Sequence, residues 1–141
     1  MINRLKQKEC HNLINQPAGL GVRIIASILD SIFLLTISFL LLRFIIGDLY
    51  QIFDLLYLIV LPIIWYGYTV GKKICGIRIV KINGDNVGVI TMLLRHFGAF
   101  IVYGLTLGIA AIISAIMVAM REDKRSIHDF IAGTYVTYDE P

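Results

Sequence analysis

The run from Val22 to Ile46 constrains this chain most. Its only charges are Arg23 at the start, Asp30 inside and Arg43 near the far end. A hydrocarbon core takes about 20 helical residues, so a stretch of this length can cross one. Arg4, Lys6 and Lys8 precede it, as in a signal peptide. The run is too long for a signal-peptide core, however, and no small-residue cleavage site follows it. It reads as a retained membrane helix at about 21–46.

Composition agrees. Hydrophobic residues make up 57% of the 141 residues and charged ones 16%. A soluble domain is about one quarter charged. So few charges cannot cover so much apolar surface in a globule of this size, which excludes a cytosolic enzyme, a nucleic-acid-binding module and a disordered segment. The net charge of +3 follows from basic residues flanking apolar runs, so it speaks to orientation in a bilayer rather than to nucleic acid. Residues 1–20 form a polar arm with three basic residues against Glu9, expected on the cytoplasmic side. Cys10 and Cys75 have no metal or disulfide spacing and read as reduced thiols.

A second apolar helix is expected at about 49–70, with Asp54 near its outer end and Pro62 inside. Tyr50, Phe53 and Tyr57 mark one interface, and Trp65, Tyr66 and Tyr68 the other. The composition then changes. Lys72, Lys73, Arg78 and Lys81 stand against Asp85, and Asn83-Gly84 is a two-residue turn signal. This predicts a cytoplasmic β-hairpin over about 75–90, with strands near 75–82 and 86–90. Residues 133–138 are a candidate third strand. The region 91–120 allows two readings: one long tilted helix, or two helices at about 91–104 and 108–120 broken near Gly104–Gly108. Arg121, Lys124 and Arg125 follow it directly and favour the second, re-entrant form. The fold class expected is a mainly α integral membrane protein with three to four transmembrane or re-entrant helices and a small β element. The membrane domain covers residues 21–141.

Few residues suggest chemistry. Arg23 and Asp30 lie nearly two turns apart and share a helix face, with Ser27 between them. A central Asp costs about 2.5–3.5 kcal/mol on insertion scales, so a partner charge, a wet cavity or protonation must offset it. A proton or cation site and a buried structural network both satisfy that requirement. Gly67 to Lys73 imitates a phosphate loop, but its spacing is one residue short and no Ser or Thr follows the lysine. His11, His96 and His128 lack zinc spacing. His128-Asp129 reads either as a proton-transfer pair or as a surface turn in which Asp129 caps or pairs with arginine. No nucleophile–base motif occurs, so no enzymatic chemistry, cofactor or metal is expected.

Three ordered segments resemble the RDD family of membrane proteins. The first holds Ala18-Gly19, Arg23, Ala26 and Asp30. The second holds Thr69-Val70-Gly71-Lys72-Lys73, then Gly76-Ile77-Arg78-Ile79-Val80, Gly84 and Arg95. The third is Arg125-Ser126-Ile127-His128-Asp129, followed by Ala132-Gly133-Thr134 and Val136. The resemblance maps the family's signature arginine and two aspartates onto Arg23, Asp30 and Asp129, supported by Thr69, Gly71, Lys72, Gly76, Arg95, His128, Gly133 and Thr134. The family's usual Thr-Pro-Gly-Lys is Thr69-Val70-Gly71-Lys72 here.

The resemblance implies a multi-pass protein of the cell membrane, with transport suspected and cation/proton exchange proposed for some members. The alternative is a scaffold or accessory subunit of a larger membrane complex. Expected partners are the lipid bilayer, further copies of the chain or a larger complex, and a monovalent cation or proton; nucleic acid is not expected. As a transporter, Asp30 would titrate and Arg23 would set its pKa. Asp129 is expected to approach Arg23 or the Gly71–Gly76 turn. Gly98, Ala99, Gly104, Gly108, Ala111 and Ala115 would permit close helix packing in an oligomer.

Overall fold

The computed structural model describes residues 16–41 and 49–138. The arm before residue 16, the end of the first apolar run with Arg43, and the loop at 47–48 lie outside the described residues. The architecture is mainly helical, as the composition implies, with one small antiparallel sheet.

Helix α1 spans Leu20–Leu41 and α2 spans Leu49–Ile64. Within α1, the hydroxyls of Ser27, Ser31 and Thr36 donate to the carbonyls of Arg23, Ser27 and Ile32 at 2.8–2.9 Å. Each of these three hydroxyls is therefore satisfied inside its own helix, as an apolar environment favours. Among the described residues, α1 alone is long and apolar enough to cross a bilayer unaided.

The second helix is shorter than the expected 49–70. It stops two residues after Pro62, whose ring nitrogen has no proton for the ladder. Tyr66 (φ 53°) and Gly67 (φ 92°) then turn the chain back. The Gly67 carbonyl accepts from Ile79 N–H at 2.9 Å, which seats the turn on the sheet. Thr69 caps the short helix α3, Val70–Ile74.

The hairpin over 75–90 is not formed. Strand β1, Arg78–Lys81, is followed by a turn at Asn83-Gly84, but the returning arm makes one isolated bridge, Val80 to Asn86. Val87 then buries in the core and α4 begins at Val89. The partner of β1 is the C-terminal strand β2, Thr134–Thr137, in register Ile79 to Val136 and Lys81 to Thr134. Pro17 bridges Thr137, and Ala18 N–H donates to the Val136 carbonyl at 2.7 Å, so the chain leading into α1 lines the other edge. Both edges of β2 are thereby covered.

The region 91–120 is two helices, α4 at Val89–Leu105 and α5 at Ile109–Met120. Between them Leu107 (φ 51°) and Gly108 (φ 85°) adopt left-handed backbone. At 1.5 Å per residue their 17 and 12 residues reach roughly 26 and 18 Å. Helix α6, Ile127–Ala132, packs on α4 and leads through Gly133 into β2. Ala18, Ala26, Ile59, Ile77, Ile79, Val87, Met92 and Val136 form the core where the sheet meets the helices.

The outward helix faces are apolar. Phe39 is 82% exposed, Phe100 77% and Leu105 81%. Faces this large and apolar mark contact with lipid or another protein rather than water.

Candidate functional site

Two buried carboxylates organise the polar interior. Asp129 sits in the first turn of α6 and is fully buried. Its Oδ2 accepts from Arg23 at 2.7 Å, from Ser126 N–H at 3.0 Å and from Ser126 Oγ at 2.8 Å. Its Oδ1 accepts from Arg95, which also donates to Thr134 Oγ1 at 2.7 Å. Arg23 uses the rest of its fork on the carbonyls of Ala18 at 3.0 Å and Lys124 at 2.6 Å. Arg125 donates to the carbonyls of Thr134 and Asp129 and lies over the Phe130 ring. One carboxylate thus ties α1, α4, α6 and the start of β2 together. Burial alone would raise the Asp129 pKa. The Arg95 and Arg23 charges outweigh burial and hold it well below the usual carboxylate range. Asp129 both caps its helix and pairs with arginine.

Asp30 forms a second centre on α1. Its Oδ1 accepts from Tyr57 Oη at 2.8 Å and Gly71 N–H at 2.7 Å; its Oδ2 accepts from Thr69 Oγ1 at 2.5 Å. Lys72 Nζ stands 4.0 Å from Oδ2. Arg23 therefore serves Asp129, and Lys72 is the near cation of Asp30. Val70, in place of the family's proline, has an N–H that donates to Tyr57 Oη at 3.0 Å. That bond fixes the Tyr57 hydroxyl with its proton toward Asp30. Tyr57 is accordingly an interior ligand of Asp30, not only an interface aromatic.

The remaining motif residues fall around these centres. Gly76 (φ 67°) ends α3, and Gly133 (φ 63°) ends α6 and starts β2. His128 bonds through Nδ1 to Tyr103 Oη at 2.8 Å and through Nε2 to Ser126 Oγ at 3.0 Å. Burial, then the Arg95 charge, push His128 down to about 3, so it is neutral at physiological pH. Gly98 sits against Ile131 of α6, where an added Cβ would lie 2.7 Å from its side chain, so its smallness serves contact within the chain. Sequence reasoning missed Tyr57 and Ser126 as ligands of the two carboxylates. The Ser-x-x-Asp spacing at Ser126–Asp129 is a capping-box signal that could have found the second.

A cavity of about 570 Å³ opens beside both centres, between α1, α2, α4 and α5. Arg23, Lys72, Arg95, His96 and His128 line it, with Ile24, Ile28, Leu58 and Ala99 among its apolar walls. Burial, then the like charge of Arg95, push Lys72 down to about 8. No group of three or more His, Cys, Asp or Glu suited to a metal ion occurs among the described residues.

A sequence model described as the RDD family matches residues 17–133. The uncharacterized protein YckC of Bacillus subtilis (strain 168) is 46% identical over 135 residues, covering 91% of this chain and 89% of the relative. The uncharacterized protein YxaI of the same organism is 29% identical over 157 residues, covering 89% and 99%. No solved structure matches.

Proposed function

This chain belongs to the RDD family of membrane proteins, and from that premise we propose that it is a multi-pass component of a membrane transport or solute-binding system. Its working site is the cavity lined by Arg23, Lys72 and Arg95. The signature Arg23 and Asp129, with Arg95, are the frame of that site. The cavity carries the reading. Its volume is within the range of about 300–1,000 Å³ typical of small-ligand sites, and its charged lining lies among helices whose outer faces are apolar.

Helices α1, α2, α4 and α5 supply the membrane-embedded segments, and among the described residues α1 alone is long enough to cross unaided. The sheet, α3 and α6 gather the basic residues at one end, which is cytoplasmic by the positive-inside rule. No step of this reading is enzymatic.

The family resemblance also offers cation/proton exchange at Asp30. The partner set of Asp30 weighs against it. The carboxylate is 4% exposed and already accepts three hydrogen bonds, so a cation or proton would have to displace protein donors. An Asp30 held by protein donors is also what a scaffold or accessory subunit requires, and that is the second reading.

Reconstitution in sealed proteoliposomes tests both. A pH-sensitive dye inside reports proton movement when sodium, potassium or lithium is added outside. Wild type is expected to show no cation-driven proton flux. Asp30→Asn is expected to lose about 1–3 kcal/mol of stability, because its amide cannot accept from Thr69 as the carboxylate does. Cation-dependent flux that disappears in a well-folded Asp30→Asn would overturn the cavity reading in favour of exchange at Asp30.

A further inference from the structure

The charge of the cavity lining is one-sided. Arg23, Lys72 and Arg95 contribute to it, and none of the described residues that line it is acidic. The two carboxylates that neutralise these cations, Asp129 and Asp30, are not on the lining. Anything within the cavity therefore meets cations first. Three positive charges face two negative ones, which leaves the cluster a net positive charge.

The surplus is located on Lys72. Arg23 and Arg95 are both hydrogen-bonded to Asp129. Lys72 Nζ has its near carboxylate at 4.0 Å, beyond hydrogen-bond distance, while its side chain is 16% exposed. An ammonium has three donors to place. Its lowered pKa has the same origin: burial and the Arg95 charge outweigh the one carboxylate nearby. A bound anion would supply what Asp30 does not. The walls suit an amphiphile as well, since Ile24 and Ile28 belong both to the lining and to the exposed apolar face of α1.

We propose that this cavity binds an oxyanion of the phosphate class, with Lys72 as its principal contact and Arg23 and Arg95 supplying the field. The chemistry is shared by the headgroup of an anionic lipid and by a free phosphate compound. This inference deepens the cavity reading above and rests on it.

The test uses the full chain in nanodiscs of zwitterionic phosphatidylcholine, with unfolding followed by the fluorescence of its single tryptophan, Trp65. One arm replaces part of the lipid by phosphatidylglycerol. The other keeps the neutral lipid and titrates inorganic phosphate against chloride at matched ionic strength. Saturable stabilisation is expected in at least one arm, and which arm responds identifies the source. Lys72→Gln is expected to raise the midpoint concentration at least tenfold, and Lys72→Arg to restore most of the response. Lys73→Gln should leave it unchanged. Lys73 neighbours Lys72 in sequence but lies over the Tyr68 ring and does not line the cavity. The restoring arginine guards against a Lys72→Gln variant that merely folds poorly. No saturable response in either arm overturns the proposal. So does an equal loss in Lys72→Gln and Lys73→Gln, since that would be general surface charge. The readout is binding, not flux. A chain that binds phosphate and moves nothing keeps this inference and loses the transport reading.

Discussion

Asp129→Asn should be among the most destructive conservative changes in this chain, at about 3–5 kcal/mol. The substitution is nearly isosteric, so packing is not the cause. It removes the one carboxylate that both Arg23 and Arg95 contact, and leaves two guanidinium groups against each other with side chains only 12% and 8% exposed. An asparagine oxygen could still accept from one of them. Its amide nitrogen would face the other as donor against donor. The comparison is Asp123→Asn, which breaks the pair with Arg121, whose side chain is 50% exposed. That change should cost less than about 1 kcal/mol. Thermal unfolding in detergent, run on both variants beside wild type, reads the contrast directly. Similar melting temperatures for the two variants would remove Asp129 from its structural role.

The same centre fixes an expected pH dependence. Asp129 is depressed in the folded state relative to an unfolded value of about 3.9. Its contribution is therefore fully present above that unfolded value. It is lost as pH falls through the folded pKa, which lies well below the usual carboxylate range. Between neutrality and about pH 5 this group should contribute a flat stability, with decline beginning only in stronger acid. Asp129→Asn should abolish that acid-side component, which unfolding curves at stepped pH would measure.

How much of this could be read from residues alone differs from place to place. Apolar runs and glycine positions are local signals, so the helices and the sharp turn at Leu107–Gly108 were close to legible. The Asn83-Gly84 signal is local too, and for that reason it predicts a hairpin that the fold does not complete. The turn is real, but Val87 finds a better place in the core than in a second strand, and β2 arrives from more than fifty residues away to pair with β1. The site suffered more. Arg23 and Asp30 share a helix face, and proximity along one helix invites pairing. The structure separates them because α3 packs onto α1 and brings Thr69, Gly71 and Lys72 to Asp30, while Arg23 reaches Asp129 across 106 residues of sequence. No spacing rule encodes a contact of that separation. The ordered RDD motifs marked the right residues without saying which would meet. Tyr57 was missed because an aromatic in an apolar helix has two common uses, at an interface or as a hydrogen-bonding interior group, and the sequence pattern is identical for both.

The packing of α3 on α1 has its own expected result. Gly71→Ala should cost about 3 kcal/mol or more, through overpacking and a broken buried hydrogen bond together. Gly71 is helical with ordinary backbone angles, so by propensity alone alanine would be preferred there by up to about 1 kcal/mol. Space decides the sign. An added Cβ would lie 2.1 Å from the Ala26 carbonyl oxygen and 2.8 Å from Asp30 N, both backbone atoms of α1 that no rotamer change can move. Relief requires α3 to withdraw from α1. Withdrawal pulls Gly71 N–H from Asp30 Oδ1, now 2.7 Å away, and takes Thr69 and Lys72 with it. The damage therefore reaches the cavity as well as the fold. Gly104→Ala is the control, because nothing lies within 4 Å of its added Cβ and it sits near the end of α4. It should be neutral or gain a few tenths of a kcal/mol. If the two alanine variants unfold at the same temperature, α3 is not held in close contact with α1, and Asp30 does not depend on that contact for its partners. If only Gly71→Ala is lost, Asp30 depends on a helix contact that glycine alone permits, and its partners follow from packing rather than from its own sequence neighbours.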